Sequence, residues 1–142
     1  MKLAVVFLGL GSNLGDRREN IAQAIEALGK NGVVVLKTAT FMETDAVGGP
    51  AQGRFLNTVI QGKTTLSPEQ LLDIIHVIEQ KLGRVHTVAN GPRTMDIDIL
   101  LYDDIKLSTP FLTIPHPRMF ARDFVMIPLK EIAPHVVQGL RR

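Results

Sequence analysis

The stretch Gly91-Pro92-Arg93-Thr94-Met95-Asp96-Ile97-Asp98-Ile99-Leu100-Leu101-Tyr102 decides the fold. It places carboxylates among aliphatic residues in alternation, a pattern typical of a strand with one buried face. Side chains at positions i and i+2 of a strand point to the same face. We therefore expect Asp96 and Asp98 side by side, with their Cα atoms about 6–7 Å apart. Three aliphatic residues should share the opposite face: Ile97, Ile99 and Leu101.

The two neighbouring carboxylates predict a magnesium site. Ionised carboxylates on one half-buried face repel each other and need a positive partner. Mg²⁺ is such a partner, because it takes oxygen ligands and keeps sites for phosphate oxygens. Arg93, just before the strand, would add positive charge to such a phosphate. The alternative is a pair of solvated side chains at a strand end, or partners of nearby arginines, since short motifs often match by chance.

Outward from this strand, the pattern predicts elements in the order β-α-β-β-α-β. That order is typical of a ferredoxin-like split βαβ sandwich, in the α+β class, with an antiparallel sheet and helices on one face. The strands are predicted at residues 3–8, 33–41, 55–63 and 95–102, with loops at 45–54 and 84–94. The other face of the sheet should lie open to these two loops.

Helix boundaries are indicated by capping residues. Asp16 is the predicted N-cap of the first helix, and Gly9, Gly11 and Gly15 are interpreted as the glycines of a turn before it. Ser67 followed by Pro68 predicts the start of the second helix. A last segment over residues 123–131 is predicted to be either a helix broken by Pro128 or a turn-rich tail.

Composition limits the class of protein. The chain has 142 residues, enough for a single domain over residues 1–142, and its charged fraction of 21% is that of a globular protein. No cysteine is present, which excludes disulfides and thiolate metal sites and fits a cytoplasmic protein. The net charge of +2 without a basic run favours no nucleic acid partner. No apolar stretch approaches the roughly 20 residues that span a membrane, and we expect a monomer.

Short motifs along nearly the whole chain resemble the 6-hydroxymethyl-7,8-dihydropterin pyrophosphokinase family. The motifs, in family order, are residues 8–16, Glu43-Thr44, Val47-Gly48, Phe55-Leu56-Asn57, Glu79, Gly83-Arg84, residues 91–98, residues 115–119, Arg122, Phe124-Val125 and Glu131-Ile132-Ala133-Pro134. The resemblance implies transfer of the β,γ-diphosphate of ATP to the pterin hydroxymethyl group, with release of AMP, in folate biosynthesis. It also implies that Asp96 and Asp98 hold two Mg²⁺ ions.

The resemblance assigns further roles by position. The implied catalytic residues are Asp96, Asp98, Arg93 and Arg84. The implied pterin-binding residues are Phe55 and Phe124, as two aromatic plates, with Asn57, Thr44, Asp45 and Val47. The implied ATP-binding residues are Glu79, Arg84, Arg93, Ile99, Thr113, His116 and Arg122. Flat heteroaromatic rings gain from stacking, and arginine suits phosphate because its donors form a fork.

Several alternatives stay open on the sequence alone. Phe55 and Phe124 would ordinarily be core residues, and His116 between two prolines would ordinarily be a surface residue. The whole chain could instead be another metal-dependent nucleotidyl transferase, which would release pyrophosphate. It could also be a binding module whose open sheet takes single-stranded RNA. In the loop before Gly91, the commonest family pattern has further arginines and an aromatic residue, and this chain differs at three positions: His86, Ala89 and Asn90. We expect weaker closure over the substrates there.

Overall fold

The strand with the two carboxylates lies at one edge of an antiparallel sheet. The structure, a computed structural model, describes residues 2–45, 53–83 and 94–140. The elements in chain order are β1 (Ala4–Ser12), α1 (Arg17–Lys30), β2 (Val33–Thr38), β3 (Met42–Thr44), β4 (Phe55–Thr64), α2 (Pro68–Lys81), β5 (Asp96–Tyr102), β6 (Leu107–Ser108), β7 (Thr113–Ile114), a 3₁₀ turn (Met119–Ala121), α3 (Asp123–Ile132) and α4 (Pro134–Leu140). The order of the long strands is β2-β4-β1-β5, β3 also pairs with β4, and β6 pairs with β7 in a separate hairpin.

The predicted helix starts are confirmed. The Asp16 carboxylate accepts a hydrogen bond from the backbone N–H of Glu19 at 3.1 Å. Ser67 and Gln70 form a reciprocal capping box, with bonds of 2.9 and 3.2 Å, and Pro68 is the first residue of α2. These caps are local in sequence, so the residue types alone specify them.

Strand β1 is longer than predicted. It runs from Ala4 to Ser12, so Gly9 and Gly11 lie inside the strand and are not turn residues. Gly15 does occupy the turn, with φ of +72°, a conformation that glycine adopts without a Cβ clash. The predicted strand over 33–41 ends early, at Thr38 in β2, and the short β3 begins after it at Met42.

Helices cover both faces of the sheet, which corrects the expectation that they lie on one. On one face, Ile21 and Leu28 of α1 and Leu71 and Ile75 of α2 pack on a core cluster that includes Leu8. On the other face, a second cluster joins the sheet to α3 and α4. Its members include Phe7, Val59, Leu100, Val125, Leu129 and Val137. The expectation failed because the end of the chain supplies two more helices, α3 and α4, and their apolar sides pack on the second face.

Helix α3 passes through Pro128 without a break, which corrects both alternatives predicted for residues 123–131, the broken helix and the turn-rich tail. Pro128 is buried within the helix Asp123–Ile132. Because proline has no N–H, the carbonyl of Phe124 four residues earlier lacks its usual helical donor. Packing of the apolar side on the sheet therefore overrides the local cost of proline.

A bulge in β5 reverses the predicted facing of Leu101. Ile99 pairs with Leu8, but Leu101 pairs with Phe7, so Leu100 is an extra residue on β5. Ile97 and Ile99 lie in the core under α1 and α2, whereas Leu100 and Leu101 both lie in the core under α3 and α4. Strict alternation could not predict the facing of Leu101, because the bulge depends on pairing with β1.

Candidate active site

A cavity of about 650 Å³ opens on the face of the sheet toward α3. Its walls come from β1, β4 and β5, from the end of β3 and from the segment 117–125 that leads into α3. Eight of the residues that the sequence proposes for substrates and metal line it: Thr44, Asp45, Phe55, Asn57, Asp96, Asp98, Arg122 and Phe124. They come from distant parts of the chain, and the sheet brings them together.

The two carboxylates face the floor of this cavity opposite two glycines. Asp96 pairs with Gly11 across the strands, and Asp98 pairs with Gly9. All four residues line the cavity, which confirms that the carboxylates share one face. Gly9 and Gly11 carry no side chain themselves, and the side chains of Leu100 and Asn57 lie close to the positions that their Cβ atoms would take.

The carboxylate pair fits a magnesium ion that also binds substrate. Within residues 2–45, 53–83 and 94–140, no group of three or more His, Cys, Asp or Glu side chains could hold a metal by protein ligands alone. Mg²⁺ is commonly held by one or two carboxylates together with substrate phosphates. Asp96 and Asp98 are half-buried at the cavity wall and offer this type of donor set.

The side-chain amide of Asn57 is held in one orientation. Its Nδ2 donates to Thr44 Oγ1 at 2.9 Å and to the Met42 carbonyl at 3.3 Å. A Cβ on Gly11 would lie 2.9 Å from Asn57 Oδ1, a distance that real contacts do not tolerate. Gly11 is therefore a site residue that our sequence interpretation missed. The available signal was a pair of glycines inside an apolar strand.

The aromatic residues stand on two walls. Phe55 begins β4 beside Thr44, and Phe124 lies in the first turn of α3. The guanidinium carbon of Arg122 lies 5.4 Å from the centroid of the Phe124 ring, within cation–π range. A flat ligand between the phenylalanines would meet apolar rings and, at the Arg122 side, positive charge.

His116 lies against the carboxylate strand without lining the cavity. Its backbone N–H donates to the Leu100 carbonyl at 3.0 Å, at the bulge of β5. Its Nδ1 accepts from the Arg118 N–H at 3.2 Å, so the neutral ring carries its proton on Nε2. Burial lowers the pKa of His116, and the Arg122 and Arg118 charges lower it further, while the carboxylate of Asp98 opposes them.

Two residues implied for ATP do not line the cavity. Ile99 is 3% exposed and belongs to the core under α1 and α2. Glu79 is 3% exposed near the end of α2, and its Oε2 accepts a hydrogen bond from the Ile97 N–H at 2.9 Å. Neither side chain lines the cavity, and the roles of both residues toward ATP stay predictions. Thr113 lies in β7 and does not line the cavity.

Three of the implied residues lie outside the described residues: Val47, Arg84 and Arg93. The same holds for the loop positions where this chain differs from the commonest pattern: His86, Ala89 and Asn90. The structure therefore leaves these assignments as predictions. Several lining residues were not expected from the sequence, among them Gly9, Leu100, Arg118 and Asp123.

Ion pairs fasten the strand ends at the rim of the cavity. Arg54 pairs with Asp45 at 3.1 Å and also donates to the Glu43 carbonyl at 3.4 Å. Arg17 pairs with Glu43, and its hydrogen bond and charge hold the pKa of that carboxyl below its usual value. Asn13 donates to the Gly53 carbonyl at 3.2 Å. These contacts join β1, α1 and β3 to the residues that lead into β4.

The comparisons with known proteins agree with one another. A model of the family described as 7,8-dihydro-6-hydroxymethylpterin-pyrophosphokinase matches residues 7–134. A 2-amino-4-hydroxy-6-hydroxymethyldihydropteridine pyrophosphokinase of Aquifex aeolicus is 45% identical over 140 residues, covering 99% of this chain and 87% of that protein. The protein of the same name in Bacillus subtilis is 44% identical over 133 residues, covering 93% of this chain and 80% of that protein.

Among solved structures, an HPPK-DHPS crystal structure in complex with substrates is similar, with a TM-score of 0.70. The match covers 94% of this chain and 40% of that longer chain, at 15% sequence identity. At this identity the likeness supports the fold alone. In the described residues, no helix is long and apolar enough to cross a membrane.

Proposed function

The chain belongs to the 7,8-dihydro-6-hydroxymethylpterin-pyrophosphokinase family, and from this premise we propose that the cavity is its active site. The protein carries out the pyrophosphokinase step of folate biosynthesis. In that step the hydroxyl oxygen of 6-hydroxymethyl-7,8-dihydropterin attacks the β-phosphorus of ATP. The bond from that phosphorus to the α,β-bridging oxygen breaks, AMP leaves, and the hydroxyl gives up its proton.

One observation carries the assignment of the site. Asp96 and Asp98 lie opposite two glycines in the same cavity as Phe55 and Phe124. A phosphate chain and a flat ring can therefore occupy neighbouring parts of one space. Phosphoryl transfer depends mainly on such positioning and on neutralisation of charge.

Asp96 and Asp98 are the proposed magnesium ligands, for two ions. Mg²⁺ bound there would offset the phosphate charge and polarise the phosphorus–oxygen bonds. The chain's own part is to place two oxygen donors side by side at the wall of the cavity. Arg122 adds positive charge at the same cavity, and its fork of donors suits phosphate oxygens.

Five described residues belong to the proposed pterin site. The rings of Phe55 and Phe124 would stack on the two faces of the pterin. Asn57 would read the ring's edge, and the Thr44 hydroxyl fixes the orientation of that amide. Asp45, held by Arg54, and Val47, outside the described residues, complete the proposal on the loop side.

The proposed ATP site is carried by fewer described residues. Arg122 supports it because it lines the cavity. His116 supports it because its ring lies close enough to Asp98 and Asp96 for their charges to raise its pKa against the effect of burial. Thr113 remains a proposed contact. We propose Arg84 and Arg93 as catalytic arginines. Glu79 and Ile99 stay proposed ATP-binding residues, through contacts outside this cavity.

Further parts of the proposal concern the whole chain. The strand order and the two crossing helices support a ferredoxin-like arrangement, extended by α3 and α4. We also propose a single domain over residues 1–142 and a cytoplasmic monomer. An RNA-binding module would need an open sheet face, but α3 and α4 cover part of that face.

Product analysis tests the function. The protein is incubated with ATP, Mg²⁺ and 6-hydroxymethyl-7,8-dihydropterin, and the nucleotide products are separated by chromatography. We expect AMP and the pterin diphosphate in equal amounts. ADP would contradict transfer of a diphosphate, and release of pyrophosphate would favour a nucleotidyl transferase.

A further inference from the structure

A carboxylate at the C-terminal end of α3 accepts hydrogen bonds from the connection between β2 and β3. Both oxygens of Glu131 accept a hydrogen bond from the Thr40 backbone N–H, at 3.0 and 3.2 Å. The Thr40 hydroxyl donates to the same carboxylate at 3.1 Å. The contact spans 91 residues of sequence. It explains why a glutamate stands in the motif Glu131–Pro134, to which the cavity gives no role.

Another hydrogen bond joins β2 to the same end of α3. Lys37, at the end of β2, donates from Nζ to the Ile132 carbonyl at 3.3 Å. A cation at the carboxyl end of a helix interacts favourably with the last carbonyls and with the helix dipole. The end of α3 is thus fixed to the same connection by two different side chains.

The connection is itself fastened to the strand that carries the pocket residues. The Ala39 N–H donates to the Val59 carbonyl at 3.0 Å, and the Thr58 hydroxyl donates to the Ala39 carbonyl at 2.8 Å. Phe55 and Asn57 precede these residues on β4. A continuous series of hydrogen bonds therefore runs from β4 through Thr40 to the end of α3.

The opposite end of α3 forms the other wall of the cavity. Phe124 lies seven residues before Glu131, about 10 Å along the helix axis. The intervening Pro128 cannot donate to the Phe124 carbonyl, so the first turn is less firmly tied to the rest of α3. Apolar packing of Val125 and Leu129 on the sheet is non-directional and does not by itself fix the helix along its axis.

We propose that Glu131 and Thr40 are a positioning pair for the pterin site. By fixing α3 against β4, their hydrogen bonds set the separation between Phe124 and the wall formed by Phe55 and Asn57. The proposal rests on the proposed function for the identity of the ligand, but its geometric part does not.

The first test measures geometry without a ligand. The chain has no cysteine, so a pair of nitroxide labels can be attached at Ile127→Cys on α3 and Lys63→Cys on β4, both exposed positions. Electron paramagnetic resonance then gives the distribution of distances between the labels. We expect a broader or shifted distribution in Glu131→Ala. An unchanged distribution overturns the proposal.

The second test separates pterin affinity from ATP affinity. With a non-hydrolysable ATP analogue bound, Glu131→Ala should weaken pterin binding by about five- to tenfold, and ATP affinity should change by no more than about twofold. Glu131→Gln keeps an acceptor and should restore most of the affinity. Thr40→Val keeps the backbone bond and should show a smaller loss. It also keeps the test open if Glu131→Ala does not fold.

A matched control and two contrary results complete the design. Glu26→Ala removes an exposed glutamate from the ion pair with Lys30 on α1, and it should leave both affinities unchanged. Equal losses of pterin and ATP affinity that follow a fall in melting temperature would overturn the proposal. If the wild-type protein neither binds nor converts the pterin, the proposed function fails, while the label distances still decide the geometric claim.

Discussion

The carboxylate of Glu79 accepts the backbone N–H of Ile97 at 2.9 Å, so a buried acid in α2 holds the residue between Asp96 and Asp98. Within the described residues, β5 has a long strand on one side only, where it pairs with β1. Glu79 therefore supplies an acceptor to an edge of the sheet that β1 does not reach. Because the bond lies beneath the carboxylate pair, it steadies the strand from which both side chains project.

Replacement of Glu79 should separate its hydrogen bond from its charge. Glu79→Gln keeps an acceptor oxygen and should retain most of the activity. Glu79→Met leaves the Ile97 N–H without this acceptor and should cost about 1–3 kcal/mol of unfolding free energy. Urea titration and kcat/KM measure the two effects. Equal activity in the Met variant and the wild type would show that the bond does not position the strand.

Gly11 should be intolerant of a side chain. In Gly11→Ala the new Cβ would meet Asn57 Oδ1 at 2.9 Å, so the amide must move. We expect a rise in KM for the pterin and about 1–3 kcal/mol of destabilisation. Gly29→Ala is the control, because nothing lies within 4 Å of its Cβ position in α1. If the pterin KM is unaltered in Gly11→Ala, Asn57 has no role in binding.

Phe124 and Phe120 offer a matched comparison. Phe124 lines the cavity, whereas Phe120 is 51% exposed on the 3₁₀ turn before α3. Phe124→Leu should weaken pterin binding by about three- to tenfold through lost ring stacking. Phe120→Leu should bind the pterin as the wild type does. Titration of pterin fluorescence measures both, and equal effects would remove Phe124 from the proposed pair of plates.

The Arg17–Glu43 ion pair should make stability depend on pH in the acid range. The folded-state pKa of Glu43 lies below its ordinary 4.5 because Arg17 donates a hydrogen bond to it and attracts its charge. The stabilisation is therefore present above pH 4.5 and is lost as the pH falls through the folded-state pKa. The difference in urea midpoint between the wild type and Glu43→Gln should shrink over this window. A difference that grows on acidification would contradict the direction of the shift.

Local patterns predicted the parts of the fold that depend on near neighbours. The shared face of Asp96 and Asp98 follows from the two-residue period of a strand, and it was confirmed by their pairing with Gly11 and Gly9. The cap at Ser67 was predictable for the same reason, since its partner Gln70 is three residues away. The cavity itself depends on sheet order, and only the family resemblance pointed to Phe55 and Phe124 as its walls.

Features that depend on distant pairing were not predictable. The bulge at Leu100 arises from the register with β1, so the facing of Leu101 was predicted wrongly. The buried position of Glu79 depends on the packing of α2 under β5, and its identity as a charged residue gave no sign of it. The continuous helix through Pro128 depends on burial against the sheet, which a propensity cannot express.

The most direct test locates the metal. Crystals are grown with Mn²⁺ in place of Mg²⁺ and with a non-hydrolysable ATP analogue, and anomalous scattering identifies the ions. We predict manganese within bonding distance of Asp96 and Asp98, and the loss of these peaks in the Asp96→Asn/Asp98→Asn double variant. Asp104→Asn removes an exposed acid that lies just after β5, and it should leave the peaks in place. Manganese and nucleotide bound away from the Asp96–Asp98 pair in the wild type would contradict the assignment.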